Sequence, residues 1–130
     1  SHISFYEADA FARYKNKRLP SEFELEYFLK KSEKKGNFLE DKIYNEIVEE
    51  ADSAYGNLWA WSNSNYLPYK KYKAYEGNLG EYNNKFMCNQ FVLKGGSHST
   101  SKKHIRASYR NFFYPSDTWQ FCGVRLADDI

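Results

Sequence analysis

Aromatic rings outnumber branched aliphatic side chains in this 130-residue sequence, 25 Trp, Tyr and Phe against 17 Leu, Ile and Val. Each ring buries a large area, so rings can build the core that the few aliphatics cannot. Full disorder is excluded on that ground. The length allows one domain. Basic and acidic side chains nearly cancel, 19 against 17, for a net charge of +2. Such a balance leaves no electrostatic footprint for nucleic acid or an anionic membrane. No apolar run reaches about 18 residues, so no membrane span is expected. No charged-then-apolar leader opens the chain, and two cysteines, Cys88 and Cys122, fit a reducing compartment, so a cytoplasmic protein is expected. Both thiols read as buried and structural, because neither has a base or cation beside it in sequence.

Two helices are predicted first. Over residues 4–18, Ser4 and Glu7 have capping-box spacing, and Lys15, Lys17 and Arg18 suit the negative C-terminal end. Leu19-Pro20 breaks that helix. Ser21 and Glu24 repeat the box, and Phe23, Tyr27 and Phe28 follow at helical spacing with Leu25 and Leu29, up to the charged run Lys30–Lys35. Ile43, Ile47 and Val48 suggest a third, short helix over 41–52. From Gly56 the character changes. Leu58–Trp61, Phe91–Leu93 and Val124–Leu126 read as short strands, and Arg106–Tyr109 as extended. Ser62–Asn65 reads as turn chemistry, residues 63–90 as a long ordered loop, and Gly95-Gly96-Ser97 as a tight turn. The fold class is α+β: two N-terminal helices, then short strands and long loops.

Residue type and spacing raise three candidate chemistries. His98 and His104 fit neither a helical i, i+4 pair nor a zinc finger, and read as surface histidines in a loop. Gly95-Gly96-Ser97 lacks the Lys-Ser/Thr ending of a phosphate loop. The tract Arg106–Phe121 is richer, with two arginines among aromatics and with Asn111 and Gln120 nearby. Arginine forks bind carboxylates, and aromatic walls hold apolar or cationic groups. That tract suits either a pocket for an amino-acid-like ligand or the arginine–aromatic core of a loop-rich fold.

Taken in order, Gly56-Asn57-Leu58-Trp59-Ala60-Trp61, Val92-Leu93-Lys94-Gly95-Gly96-Ser97 and Gly123-Val124-Arg125-Leu126-Ala127 resemble the formylglycine-generating-enzyme (sulfatase-modifying factor) family. Its fold is C-type-lectin-like. Ser4-Phe5-Tyr6-Glu7-Ala8 with Arg18-Leu19-Pro20-Ser21-Glu22 resembles that family's helix pair. Asn83-Asn84-Lys85-Phe86-Met87, Tyr109-Arg110-Asn111-Phe112-Phe113 and Trp119-Gln120-Phe121 resemble its ergothioneine-biosynthesis branch. The resemblance implies a non-haem iron(II), oxygen-dependent sulfoxide synthase that joins cysteine or γ-glutamylcysteine to trimethylhistidine. It implies that iron(II) is held by a separate helical domain with a His-x-x-x-His-x-Glu motif, so that this chain binds none. It implies Arg106 and Arg110 for substrate carboxylates, and Tyr109, Phe112, Phe113 and Trp119 as pocket walls. Asn111 and Gln120 would orient polar groups, and Tyr82 would stand near the reacting oxygen.

Several departures set limits on that reading. The His-x-x-x-His-x-Glu motif is not in this sequence, which therefore resembles a C-terminal portion, inactive by itself; apolar surface and sheet edges exposed by truncation are expected to make it oligomeric or only marginally stable. The stretch His98–Ile105 lacks the copper-binding cysteines of true formylglycine-generating enzymes, which argues against that reaction. Trp59-Ala60-Trp61 stands where the family has Trp-Glu-Trp. Phe113 and Asp117 stand where some synthases place an acidic residue and an arginine. A non-catalytic, lectin-like binding module, or another member of the family, is the alternative.

Overall fold

The computed structural model describes residues 1–45 and 53–129. Helix α1 spans Phe5–Tyr14 and α2 spans Glu22–Lys31. Both capping boxes form: Ser4 and Ser21 accept from the backbone of Glu7 and Glu24, whose carboxylates return to the cap amides. Helix α1 ends four residues before the sequence reading. Asn16 turns left-handed at φ 54°, and Asn16 and Lys17 donate to the carbonyls of Arg13 and Ala12. This is a Schellman close, and asparagine tolerates its left-handed position. Lys15, Lys17 and Arg18 therefore lie beyond the last turn.

The buried stripes are Phe5, Ala8 and Ala12 on α1, and Glu22, Leu25 and Leu29 on α2. Phe23, Tyr27 and Phe28, the aromatics that carried the helical spacing, face outward. The core side of α2 thus begins with a carboxylate, which needs a buried partner.

Beyond α2, a single 3-10 turn covers Leu39–Asp41, and Lys42 turns left-handed. Residues 43–45 are not helical, so the start of the predicted third helix is not formed; its remainder, 46–52, lies outside the described residues. Gly36 and Gly56 let two segments cross here. A Cβ on Gly56 would stand 2.4 Å from the Asn37 carbonyl oxygen, and one on Gly36 would overlap the Tyr55 carbonyl. Only glycine allows that approach.

Four strands form one sheet in the order β3-β2-β1-β4. They are β1 Trp59–Asn65, β2 Phe91–Lys94, β3 Asn111–Phe113 and β4 Cys122–Gly123. Strands β1/β2 and β2/β3 are antiparallel, and β1/β4 are parallel. Four sequence expectations are corrected. Strand β1 runs on through Ser62–Asn65, because the register shifts between Trp61 and Asn65 and local side chains absorb the irregularity. There Ser62 Oγ donates to the Val92 carbonyl, and the Asn63 amide to that of Pro20. The 63–90 loop contains a short helix, α3, Asn78–Asn84. Arg106–Tyr109 is a turn, with the Tyr109 amide donating to the Arg106 carbonyl, and the strand follows it. The last strand is Cys122–Gly123 instead of Val124–Leu126; beyond it Ala127 exchanges backbone hydrogen bonds with Arg18.

The core is aromatic, as the composition requires. Phe5 stacks on Phe91 with ring centroids 3.8 Å apart and meets Trp61 edge-on at 6.0 Å. Trp61 is fully buried, and its indole N–H donates to the Ile3 carbonyl. Phe38, Trp59, Leu93, Ile105 and Cys122 complete the cluster. No helix among the described residues is long and apolar enough to cross a membrane.

Candidate functional site

The tract from Arg106 to Phe121 is split by strand geometry. Successive side chains of a strand point to opposite faces, so Phe112 and Phe113 leave β3 in opposite directions. On one side, Phe112 stacks on Tyr66 at 4.1 Å and touches Phe86 at 5.7 Å, and Phe86 meets Tyr82 edge-on. Arg110 belongs to this group, held between Tyr66 and Tyr69 at 4.6 and 4.4 Å. Its guanidinium forks onto Glu22, Nε to Oε2 at 2.8 Å and Nη2 to Oε1 at 3.0 Å, and Nη2 also donates to the Leu67 carbonyl. Arg110 and Glu22 are almost fully withdrawn from solvent. The buried carboxylate of α2 is thereby satisfied, and the fork that the sequence offered to a substrate is engaged inside the protein. Tyr82 lies at this group's exposed edge.

On the other side, Phe113 faces a cleft of about 180 Å³, lined by Trp59, Ser97, Ser99, Phe113, Trp119, Gln120 and Phe121. Trp119 meets Phe113 edge-on at 5.0 Å and is 68% exposed. Tyr109 backs Trp59 at 5.7 Å, and Arg106 lies over Tyr109 at 5.4 Å. Arg106 is exposed and has no carboxylate partner among the described residues. Gln120 is buried; its Nε2 donates to the Asp117 carbonyl, while its Oε1 is unpartnered. Asn111 spends its Oδ1 on the Phe112 amide. Of the residues expected at the site, Phe113, Trp119 and Gln120 converge on the cleft, with Tyr109 and Arg106 behind it. Arg110, Phe112 and Tyr82 gather elsewhere, and Asn111 holds its own strand.

Sequence reading missed Trp59, Ser97 and Ser99 as cleft residues, and Glu22 as the partner of Arg110. Strand alternation carries a signal for Trp59, two residues from the core Trp61. None exists locally for Glu22, which meets Arg110 across 88 residues. Two further expectations are corrected. His98 is 3% exposed and packs 4.3 Å from the Phe121 ring, because the chain turns inward after the glycine pair. Cys88 is exposed, on a turn after α3, whereas Cys122 is buried. Burial pushes the Cys122 thiol up, and its Sγ donates to the Ile3 carbonyl, so it is no thiolate nucleophile.

A larger cleft, about 340 Å³, lies between α2 and the C-terminal segment and is lined by Pro20, Leu25, Phe28 and Val124, among others. Its polar members are committed: Glu24 to Arg18, and Arg125 to the Ser53 carbonyl. The smaller cleft combines aromatic walls with an unpartnered amide, and is the candidate site.

The sequence pattern of the sulfatase-modifying factor enzyme 1-like domain matches residues 1–55 and 51–130. Curated relatives include a hercynine oxygenase of Mycobacterium tuberculosis, 28% identical over 161 aligned positions that cover 99% of this chain and 36% of the relative. Hercynine oxygenases of Mycolicibacterium thermoresistibile and Mycolicibacterium smegmatis are 26% and 27% identical, again across 99% of this chain. The chain spans about a third of the length of these relatives. The order of two capped helices, a short mixed sheet and long aromatic loops is the arrangement that the match implies, and the chain belongs to the sulfatase-modifying factor enzyme 1-like family, with the formylglycine-generating-enzyme type of fold.

Proposed function

We propose that this chain is the substrate-binding portion of a sulfoxide synthase of the ergothioneine type, which joins the sulfur of cysteine or γ-glutamylcysteine to trimethylhistidine. The observation that carries the reading is the aromatic cleft of Trp59, Phe113, Trp119 and Phe121 in a chain aligned along its length with hercynine oxygenases. Aromatic faces attract a quaternary ammonium, at roughly 0.5–2 kcal/mol per contact. The cleft would take the trimethylammonium head of trimethylhistidine and exclude water from it. Arg106, which has no carboxylate partner among the described residues, is the residue to hold a substrate carboxylate. Arg110 serves by bracing: its fork on Glu22 fixes β3 against α2 and so places Phe113. The phenol of Tyr82 and the ring of Phe112 lie with that brace, off the cleft.

Iron(II) is the metal that the resemblance implies for the reaction. Among the described residues no three His, Cys, Asp or Glu side chains come together as a metal-binding set. The described residues do not form the site of that ion.

Titration calorimetry tests the reading. Trimethylhistidine is expected to bind the isolated chain saturably without iron. Trp119→Ala should weaken that binding about threefold to thirtyfold, the loss of one cation–π wall. Absence of binding by the wild-type chain at millimolar ligand overturns it.

A further inference from the structure

Residues 66–75 read Tyr-Leu-Pro-Tyr-Lys-Lys-Tyr-Lys-Ala-Tyr, with a tyrosine at every third position, three lysines and no carboxylate. The segment crosses the Arg110–Glu22 brace as a strap. Tyr66 and Tyr69 hold it down: Tyr66 stacks on Phe112, and Arg110 lies between the two tyrosine rings. The Tyr72 amide then donates to the Tyr69 carbonyl at 2.9 Å and closes a turn, with Lys71 left-handed at φ 73°. Lys70 and Lys71 stand at the tip of that turn, and Lys73 follows. All three are exposed, and none has a carboxylate partner among the described residues.

Between the strap and α2 lies a groove of about 330 Å³, walled by Phe23, Leu67, Pro68 and Tyr69 and bordered by Lys70. Phe23 is 62% exposed, with its ring 6.4 Å from that of Tyr69. One turn further along α2, Tyr27 is exposed and carries the Lys31 ammonium 5.7 Å from its ring centre. Lys31 also has no carboxylate partner among the described residues. The carboxylates of α2 beneath this face are spent, Glu22 on Arg110 and Glu26 on Lys94 and Lys30. The face is therefore apolar in its groove and cationic around it, on a molecule whose net charge is only +2. It shares no lining residue with the cleft of Trp59 and Trp119.

We propose that this groove docks an acidic polypeptide segment. A large apolar side chain of the partner seats between Phe23 and Tyr69, and carboxylates flanking it pair with Lys70, Lys71 and Lys73. Charge complementarity sets the sign of the partner, because the ammonium groups around the groove have no carboxylates of their own. Shape sets its class, because an apolar pocket inside a charged rim is how protein interfaces seat an anchor side chain. A bilayer plane does not enter a groove. The rings of Tyr66 and Tyr69 are already covered by Phe112 and Arg110, which leaves them no open face on which to stack bases. The docking is independent of the cleft and of its ligand.

Fluorescence anisotropy on the whole chain tests this. The probe is a labelled synthetic peptide, a leucine and a tryptophan flanked by glutamates. One control peptide has glutamines for the glutamates, and another has alanines for the leucine and tryptophan. The acidic peptide should bind saturably and lose affinity as salt rises. Both controls should bind at least about fivefold more weakly. Lys70→Gln with Lys71→Gly should weaken the acidic peptide about threefold to tenfold. Glycine suits the left-handed position of Lys71, so that variant keeps its melting temperature. Phe23→Ala, at an exposed helix position, should cost about fivefold or more. No binding at about 1 mM peptide overturns the inference. So does equal binding of the glutamine peptide, or binding that neither variant weakens. Phosphatidylserine vesicles, oligothymidylate or a second copy of the chain held more tightly than the peptide, and released by the same variants, also overturns it and reassigns the face. Trimethylhistidine binding in the cleft should be the same in these variants as in the wild type, so failure here leaves the proposed function standing.

Discussion

Glu24 shows how much one side chain is asked to do. It accepts the Arg18 fork at 2.9 and 2.7 Å and closes the capping box on the Ser21 amide and hydroxyl. The Arg18 hydrogen bonds first, and then those from Ser21, lower its carboxyl from an ordinary 4.5 to about 2. A carboxyl with a depressed folded pKa stabilises the protein above its ordinary pKa, and that stability is lost as pH falls through the folded value. The loss therefore falls between about pH 4.5 and pH 2. The pair is half exposed, so solvent screening reduces the contribution to roughly 1 kcal/mol. Glu24→Gln should flatten the acid limb of stability against pH in that window, read by urea unfolding at fixed pH steps. An unchanged limb would assign the acid sensitivity to other carboxylates. Both capping boxes were legible in the sequence, because three-residue spacing is local information. The second partner of Arg18, Asp129, and the burial of His98 were not, because each depends on segments far along the chain.

At the scale of elements, α2 is tied to the sheet by buried charge. Glu22 meets Arg110 of the segment entering β3, and Glu26 meets Lys94 of β2 at 3.0 Å. Lys94 is fully buried; besides Glu26 its ammonium has the Ala107 carbonyl at 3.1 Å. Breaking such a pair from the carboxylate side strands a buried cation, at about 3–5 kcal/mol, whereas replacing both partners with apolar groups is often nearly neutral. Glu26→Ala should therefore destabilise strongly, and Glu26→Ala with Lys94→Met should recover most of the loss in equilibrium unfolding. Additive losses would mean that the two residues act separately. These ties explain which elements sequence reading found. Helices α1 and α2 and the Phe91–Leu93 strand announce themselves by cap and period. Strands β3 and β4 are three and two residues long, too short to show a period, and exist because β2 and β1 offer them edges. Helical spacing also marked the wrong face of α2, since a 3.6-residue repeat does not say which stripe is buried when its core side begins with Glu22.

For the whole molecule, the arginine–aromatic tract divides into two parts. The Phe112 side, with Arg110 and Glu22, is a buried brace; the Phe113 side, with Trp59, Trp119 and Gln120, is a cleft. Sequence alone could not divide them, because the division is made by one alternation along a three-residue strand. The central claim, that this cleft holds a quaternary ammonium, is open to one direct measurement. The chain has three tryptophans, and each gives a separate indole N–H signal in a nitrogen–proton correlation spectrum. Trp59 and Trp119 line the cleft, while Trp61 is fully buried with its N–H on the Ile3 carbonyl. Titration with trimethylhistidine should shift the Trp119 and Trp59 indole signals saturably and leave that of Trp61 in place. No shift in any indole, or a shift confined to signals outside the cleft, would contradict the claim.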